Sequence, residues 1–200
     1  EGTPPLSAHS MDAVLFAMCG EVRADIDALA ARGLPLLGTG MPPDDRVVQV
    51  LINDRAGTAE LVDYLHSLGH QRIGHVLMPL DRRHLPGPVT PDDVAAADFI
   101  DSRDRALGFL DAGGSADLMV AATGLTADAG YVAARTLLDA ADAPTALVCQ
   151  SDLLALGAMR ALTERGIAVP DQMSVAGFDG IDTPGFAGTL TTVDQRPTQK

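Results

Sequence analysis

Polar side chains follow two predicted buried strands in the last third of the chain. Ser151 and Asp152 come after the apolar run 145–149, and Asp179 follows the apolar run 173–178. The carboxyl ends of neighbouring parallel strands meet at one edge of an open α/β sheet, where small ligands bind. Hydroxyl and carboxylate groups at such an edge can hydrogen-bond a polar ligand. The sequence therefore predicts a small-molecule site that includes these three residues.

Each candidate residue also has a purely structural interpretation. Asp179 precedes a glycine and fits a turn aspartate equally well. Ser151 or Asp152 fits the N-cap of a helix, a role that is compatible with facing a ligand. Arg105 opens the helical segment RALGFL, and its planar guanidinium suits two vicinal hydroxyls or a carboxylate. From its spacing alone, however, Arg105 fits better as a solvated helix arginine.

Metal and enzyme chemistry have weaker support. His66 and His70 stand four residues apart with His75 nearby, but Gly69 ends the predicted helix between the first two, which spoils a zinc-binding geometry. The dinucleotide fingerprint, the nucleotide P-loop and the nucleophile elbow each lack a required residue. No nucleophile, base and oxyanion donor combine into a catalytic site. We therefore expect no metal, no cofactor and no enzymatic activity.

Alternating apolar runs and amphipathic helices must position the candidate residues. Predicted strands cover 12–18, 34–38, 47–52, 72–78, 117–122, 145–149 and 173–178, and a last apolar stretch covers 189–193. Predicted helices cover 21–32, 56–68, 102–112, 126–140 and 152–165. This order predicts an α/β fold with parallel sheets and right-handed crossovers.

A proline-rich segment at 79–101 interrupts the alternation of strands and helices. It predicts a long loop, with one helical turn at 92–97, and loops of this length inside domains tend to be functional. The segment divides the chain into two blocks of similar plan. Two such lobes would face each other across a cleft lined by strand ends.

Composition and charge restrict the class of partner. The net charge is −13, from 14 Lys and Arg against 27 Asp and Glu, so this chain is not expected to grip nucleic acid by itself. Cys19 and Cys149 end apolar runs and fit inert core thiols better than a disulfide. Neither a membrane-spanning run nor a signal peptide is apparent, which favours a cytoplasmic protein.

An ordered set of segments resembles the lactose-repressor/galactose-repressor (LacI/GalR) family of bacterial transcription regulators. These segments are NDRAG at 53–57, LGHQRI at 68–73, RDRALGF at 103–109, GYVAA at 130–134, SDLLALGAMRAL at 151–162, VAGFD at 175–179 and LTTV at 190–193. The resemblance covers about residues 11–200. It implies two periplasmic-binding-protein-like lobes, each an α/β structure with a doubly wound parallel sheet. The first would comprise residues 1–78 plus 194–200 and be incomplete, and the second would comprise residues 79–193.

The resemblance also assigns site residues. Arg105 and Asp179 match the family's effector-binding arginine and aspartate. Ser151 stands where the family usually has asparagine, and Leu125 where members often place an aromatic ring that stacks on a sugar or purine. These two departures change the contacts expected for a standard sugar, whereas Arg105 and Asp179 together still imply a polar, hydroxylated ligand.

The resemblance further implies a homodimer and an indirect contact with DNA. The dimer surface would include helix 156–164 and segment 183–188, with Leu156, Met159, Arg160 and Phe186. Operator DNA would be bound only through an N-terminal helix-turn-helix that is absent from this chain. The family's first βαβα segment and its last helix and strand are also expected outside it, so the chain fits a fragment or a processed product.

Three functions are compatible with these features. The leading hypothesis is the effector-binding and dimerisation domain of a transcription repressor that senses a small polar metabolite, for example a sugar. The alternative is a periplasmic or secreted solute-binding protein of an uptake system, which shares the fold and the cleft. A third hypothesis, an α/β enzyme with an unrecognised site, has the least support because no catalytic constellation is found.

Overall fold

The chain forms two compact units. The computed structural model describes residues 10–17, 23–39, 44–182 and 188–195. The first unit comprises Glu1–Ile52 together with Lys200, and the second comprises Asn53–Gln199. Both units are built from parallel strands and helices, which confirms the predicted α/β class.

The smaller unit contains a three-stranded parallel sheet and one helix. Its strands are β1 (Val14–Phe16), β2 (Leu36–Gly38) and β3 (Val48–Gln49), in the order β1-β2-β3, and its helix is α1 (Arg23–Ala30). Its core consists of buried apolar side chains from the helix, two of the strands and the residue before β3, namely Phe16, Ile26, Leu29, Leu36 and Val47. A strand and a helix of this length hold together because the helix covers one face of the sheet.

The larger unit contains a six-stranded sheet. Its strands are β4 (Ile73–Leu77), β5 (Gly87–Pro88), β6 (Met119–Ala121), β7 (Ala146–Cys149), β8 (Ser174–Asp179) and β9 (Thr191–Asp194). Their order is β5-β6-β4-β7-β8-β9, and every pair is parallel except β5 with β6. Its helices are α2 (Asp54–Ser67), α3 (Pro91–Ala95), α4 (Ile100–Asp111), α5 (Ala127–Leu138) and α6 (Asp152–Glu164).

Local sequence signals determine where these helices begin. Asn53, Thr126 and Ser151 are the N-caps of α2, α5 and α6, and the side-chain oxygen of each accepts a backbone N–H from the first turn. Thr90 and Asp93 form a reciprocal capping box at α3. The helical turn expected at 92–97 is therefore present as α3, within a segment that also contains β5.

Helices cover both faces of the six-stranded sheet. Leu147 and Cys149 of β7 point into the core shared with α5 and α6. Ala146 and Val148, the alternate residues, point into the core shared with α2 and α4. This alternation explains why β7 is apolar throughout, as expected for a parallel strand buried on two faces.

The division of the chain differs from the one expected at residues 78 and 79. Residues 53–78 belong to the larger unit, because α2 packs against α4 and β4 pairs with both β6 and β7. The resemblance placed this stretch in the first lobe, since a proline-rich segment follows it. In the structure, that segment connects β4 to α4 within the larger unit and contributes β5 to the six-stranded sheet.

Candidate functional site

Arg105 lies at the carboxyl edge of the six-stranded sheet, in the second turn of α4. It is only 4% exposed, so it is not the solvated helix arginine that its spacing suggested. Its Nε donates to Oδ1 of Asp54 at 2.7 Å, and its Nη1 donates to the backbone carbonyl of Gln150 at 2.5 Å. Nη1 also lies 3.5 Å from Oδ1 of Asp179. Three elements therefore hold one guanidinium.

The flat side of the Arg105 guanidinium rests on an aromatic ring. Its central carbon lies 3.7 Å from the ring centroid of Phe178, the buried residue before Asp179. A cation over a ring face is attracted by the ring quadrupole, and the attraction grows when water is excluded. Phe178 therefore fixes the plane of the guanidinium, while Asp54 and Gln150 fix its rotation within that plane.

Asp179 combines an unusual backbone with a perturbed carboxyl group. Its φ is 123°, a conformation that non-glycine residues rarely adopt and that is concentrated at functional sites. Its Oδ1 accepts a hydrogen bond from Nε2 of Gln195 at 2.5 Å. Burial raises the pKa of Asp179 to about 6, the charge of Arg105 opposes this rise, and the charge of Asp152 adds to it. The Asp179 carboxylate is thus a partly buried hydrogen-bond acceptor at the end of β8.

Ser151 has the N-cap role that the sequence indicated for it or Asp152, and Asp152 makes structural contacts that the sequence did not indicate. Ser151 is 1% exposed, and its Oγ accepts the N–H of Leu154 as the N-cap of α6. The Asp152 carboxylate accepts the hydroxyl of Thr192 at 2.7 Å and the N–H of Ile181 at 2.9 Å. Asp152 therefore ties α6 to β9 and to the segment that leaves β8. The role of Ser151 as a ligand contact stays a prediction.

Leu125 lies in the loop between β6 and α5. Leu125 is 38% exposed. It does not lie next to Asp179, because β4 and β7 separate β6 from β8 in the sheet. Of the four predicted effector contacts, the structure thus brings Arg105 and Asp179 into direct contact. It places Ser151 next to Gln150, whose carbonyl holds Arg105, and it places Leu125 further along the same edge.

Sequence reasoning missed a buried polar network beneath Arg105. The Gln150 amide makes four hydrogen bonds at 2.9–3.1 Å, with its Oε1 accepting from the Met78 N–H and the Ser102 hydroxyl. Its Nε2 donates to the Ser102 carbonyl and to Nε2 of His75. Gln150 is therefore fully satisfied, and it joins β4, β7 and α4 below the site. A polar residue directly after an apolar run was the only sequence signal.

His75 is the innermost member of this network. It is fully buried and stacked on Phe109 with ring centroids 4.4 Å apart, and its Nδ1 lies 2.9 Å from the Val148 carbonyl. Burial lowers the pKa of His75 to about 3, so the ring is neutral. Since a carbonyl can only accept, the proton sits on Nδ1, and Nε2 accepts from Gln150.

The three histidines near residue 70 do not converge on a metal site. His66 Nδ1 lies 2.7 Å from the His70 carbonyl, and the His70 ring bonds the hydroxyls of Thr145 and Ser174. No group of three metal-ligating side chains is present within residues 10–17, 23–39, 44–182 and 188–195. Over those same residues, no helix has the length and apolar character needed to cross a membrane.

Three of the four predicted dimer residues lie on α6. Leu156 is half-buried and packs against the core under α5 and α6, and Met159 is 9% exposed. Arg160 is exposed, donates to Asp128 at 2.8 Å and lies over the Tyr131 ring. Phe186 falls outside the described residues. Their role in dimerisation stays a prediction.

Comparison with known proteins identifies the family. The model of the periplasmic binding protein-like domain matches residues 62–200. A helix-turn-helix-type transcriptional regulator of Mycobacterium tuberculosis is 33% identical over 202 residues, which cover 98% of this chain and 56% of the regulator. The chain spans about half the length of the curated relatives it matches.

Solved structures agree with this assignment. A LacI-family transcriptional regulator from Corynebacterium glutamicum has a TM-score of 0.74 and 28% identity, over 88% of this chain and 54% of that one. A LacI-family regulator from Enterococcus faecium with bound ribose has a TM-score of 0.70 and 25% identity, over 92% of this chain and 65% of that one. This chain belongs to the periplasmic binding protein-like domain family, as a core of the LacI/GalR type.

Proposed function

We propose that this chain is the effector-binding core of a bacterial transcription regulator. The single observation that carries the proposal is the contact between Arg105 and Asp179, 3.5 Å apart at the carboxyl edge of the sheet. Open α/β sheets bind ligands at this edge. A buried cationic donor and a carboxylate acceptor side by side suit a small polar molecule with hydroxyl groups.

The effector would be held mainly by Arg105 and Asp179. Asp179 accepts a ligand hydroxyl, and Arg105 donates to a ligand oxygen. Ser151 contributes its hydroxyl proton, because its oxygen already accepts from Leu154. Leu125 provides an apolar contact from the neighbouring loop. Binding of ribose by the Enterococcus faecium regulator supports a ligand of this polarity.

Regulation of transcription would require partners outside the site. The relatives are named helix-turn-helix-type regulators, which favours this function over a solute-binding protein and over an enzyme. We propose that the longer protein contacts operator DNA through such a motif, in the cytoplasm. A homodimer formed through α6 would couple the effector to DNA binding, and coupling of this kind is typically worth about 1–3 kcal/mol.

A thermal-shift screen tests the proposed site. The intact protein is heated in the presence of sugars, nucleosides and small organic acids. A ligand at 100 times its dissociation constant should stabilise the folded state by about 2.7 kcal/mol. Arg105→Ala and Asp179→Ala should each abolish the shift caused by a hit, because each removes one half of the contact pair.

A matched variant separates loss of binding from loss of stability. Arg55 also forms an ion pair between α2 and α4, with Asp111, but both side chains are about half exposed. Arg55→Ala should leave the ligand-induced shift intact. If a hit stabilises Arg105→Ala and Asp179→Ala as strongly as the wild type, the effector does not bind at this edge and the proposal fails.

A further inference from the structure

The hydrogen-bonding capacity of Arg105 is largely used within the protein. A guanidinium recognises phosphate or carboxylate by donating two parallel hydrogen bonds from one edge. The edge that contains Nε is occupied by Asp54, and Nη1 is occupied by the Gln150 carbonyl. Nη2 alone has no hydrogen-bond partner in the part of the chain that the structure describes. Arg105 therefore offers one free nitrogen, and neither outward edge is complete for a two-point contact.

The charge of Arg105 is compensated before any ligand arrives. Asp54 lies 2.7 Å from Nε, and the side chains of both residues are nearly buried, at 13% and 5% exposed. Asp179 adds a second carboxylate at 3.5 Å. Asp152, which faces the end of β8 from α6, adds a third acidic group. One cation among three acids leaves the edge with an excess of negative charge.

We propose that Asp54 determines the ligand class of this site, by excluding anions and favouring neutral, hydroxyl-bearing molecules. A phosphate or carboxylate would meet one free guanidinium nitrogen and two or three carboxylates, and like charges repel strongly where water is scarce. A neutral hydroxyl meets no such penalty, since it donates to Asp179 and accepts from Nη2. This inference rests on the proposed function and narrows its ligand to one class.

Asp54 also has a structural role that the test must separate. It is the first residue of α2, where an acidic side chain interacts favourably with the helix dipole. Its hydrogen bond with Arg105 also connects α2 to α4. Loss of stability alone would therefore say nothing about specificity. A gain of anion binding on removal of the carboxylate charge is a readout that a purely structural role does not produce.

The experiment titrates the intact protein with inorganic phosphate by calorimetry, near neutral pH. The wild type should bind phosphate too weakly for the titration to saturate. Asp54→Asn keeps the shape of the side chain but removes the negative charge that neutralises the Arg105 guanidinium. It should raise phosphate affinity by about tenfold or more, because the repulsion between phosphate and one nearby carboxylate exceeds the free energy that corresponds to a factor of ten. Asp54→Glu, which retains the charge, should gain no phosphate affinity.

The matched control is Asp111→Asn. Asp111 pairs with Arg55, so this variant also breaks an ion pair between α2 and α4, on exposed side chains away from Arg105. It should gain no phosphate binding. If Asp54→Asn does not fold, nitrogen-15 spectra of the wild type give a second measurement. The Arg105 Nε–H signal should not shift as phosphate is added.

Two outcomes overturn the inference. One is saturable binding of phosphate to the wild type with a shift of the Arg105 signal, and the other is a folded Asp54→Asn variant that gains no affinity. Either outcome leaves the proposed function standing, and the first would indicate an anionic effector. The proposed function fails separately, if ligands found in the screen ignore Arg105 and Asp179.

Discussion

At the scale of single residues, the site is supported by buried polar groups that hydrogen-bond one another. The Gln150 side chain hydrogen-bonds a backbone N–H, a hydroxyl and an imidazole, and its backbone carbonyl accepts a hydrogen bond from Arg105. Leaving one such buried group without a partner costs about 1–3 kcal/mol. The network is therefore stable as a whole and sensitive to the loss of any member.

His75 makes this sensitivity measurable through pH. Its pKa is about 3 in the folded chain and about 6.5 in an unfolded one, so the unfolded state binds a proton first as the pH falls. Stability from the neutral ring is fully present above the unfolded pKa. It is lost as the pH falls towards 3, by about 1.4 kcal/mol for each pH unit.

We expect His75→Leu to remove this acid sensitivity. Leucine fills a similar space beside Phe109 and carries no titratable group. Urea unfolding of both proteins at pH 7 and at pH 5 measures the difference between their free energies of unfolding. That difference should move by about 2 kcal/mol in favour of the variant at the lower pH. An unchanged difference would show that the ring is not held neutral.

The sequence predicted the residues of this site unevenly. Asp179 and Arg105 were found from strand ends and from a family resemblance, and the structure brings them into contact. Asp54 was not among the predicted site residues, because nothing local indicates a partner 51 residues away. His75 and Gln150 lie inside or beside apolar runs, where a polar residue has no visible partner until the strands pair.

At the scale of elements, α5 and α6 pack closely against each other in the larger unit. A Cβ at Gly157 would lie 2.0 Å from the Ala127 carbonyl oxygen, and one at Gly130 would lie 2.4 Å from the Leu154 carbonyl oxygen. Two glycines on facing helices thus allow the backbones to touch. This contact orients α6, and with it the Ser151 N-cap and Asp152 at the site.

Gly157→Ala should push α5 and α6 apart. Alanine favours a helix by up to about 1 kcal/mol, but an overlap with backbone atoms cannot be relieved by a side-chain rotation. We expect a net loss of about 3 kcal/mol of unfolding free energy in urea titrations. Gly124→Ala is the control, because a Cβ there meets no atom within 4 Å. Equal stability of the two variants would contradict the packing.

The elements themselves were predictable where the hydrophobic pattern was strong. The run 145–149, the helix 152–165 and the run 173–178 correspond to β7, α6 and β8 within one residue at each end. The segment 79–101 was predicted as a loop, and it contains β5, α3 and the start of α4. Its prolines obscured the pairing of β5 with β6, which depends on a strand about 30 residues later.

At the scale of the whole molecule, the net charge is relevant to the proposed function, and the division into two units differs from the predicted one. The net charge of −13 opposes the approach of nucleic acid and of small anions alike. This charge agrees with the proposals that another segment contacts DNA and that the effector is neutral. The unit boundary at residue 52 could not be found from composition, because the proline-rich segment gave a stronger but misleading signal.

The proposed dimer is tested by changing the charge on α6. Arg160 is exposed and pairs with Asp128, so Arg160→Glu places two acidic groups together on the predicted surface. Sedimentation velocity should show a wild-type dimer and a shift of the variant towards monomer. Arg55→Glu makes the same change on α2, on the opposite face of the sheet, and should sediment as wild type. Identical behaviour of all three would refute an α6 interface.

Two groups that accept hydrogen bonds from Arg105 differ in whether a mutation can remove them. The carbonyl at position 150 belongs to the backbone, so it is present whatever side chain stands there. The Asp54 carboxylate, by contrast, exists only while its codon does, and one base substitution turns an aspartate codon into an asparagine codon. If Asp54 sets the ligand class as proposed, a single nucleotide step would be enough to change the class of metabolite that this site admits.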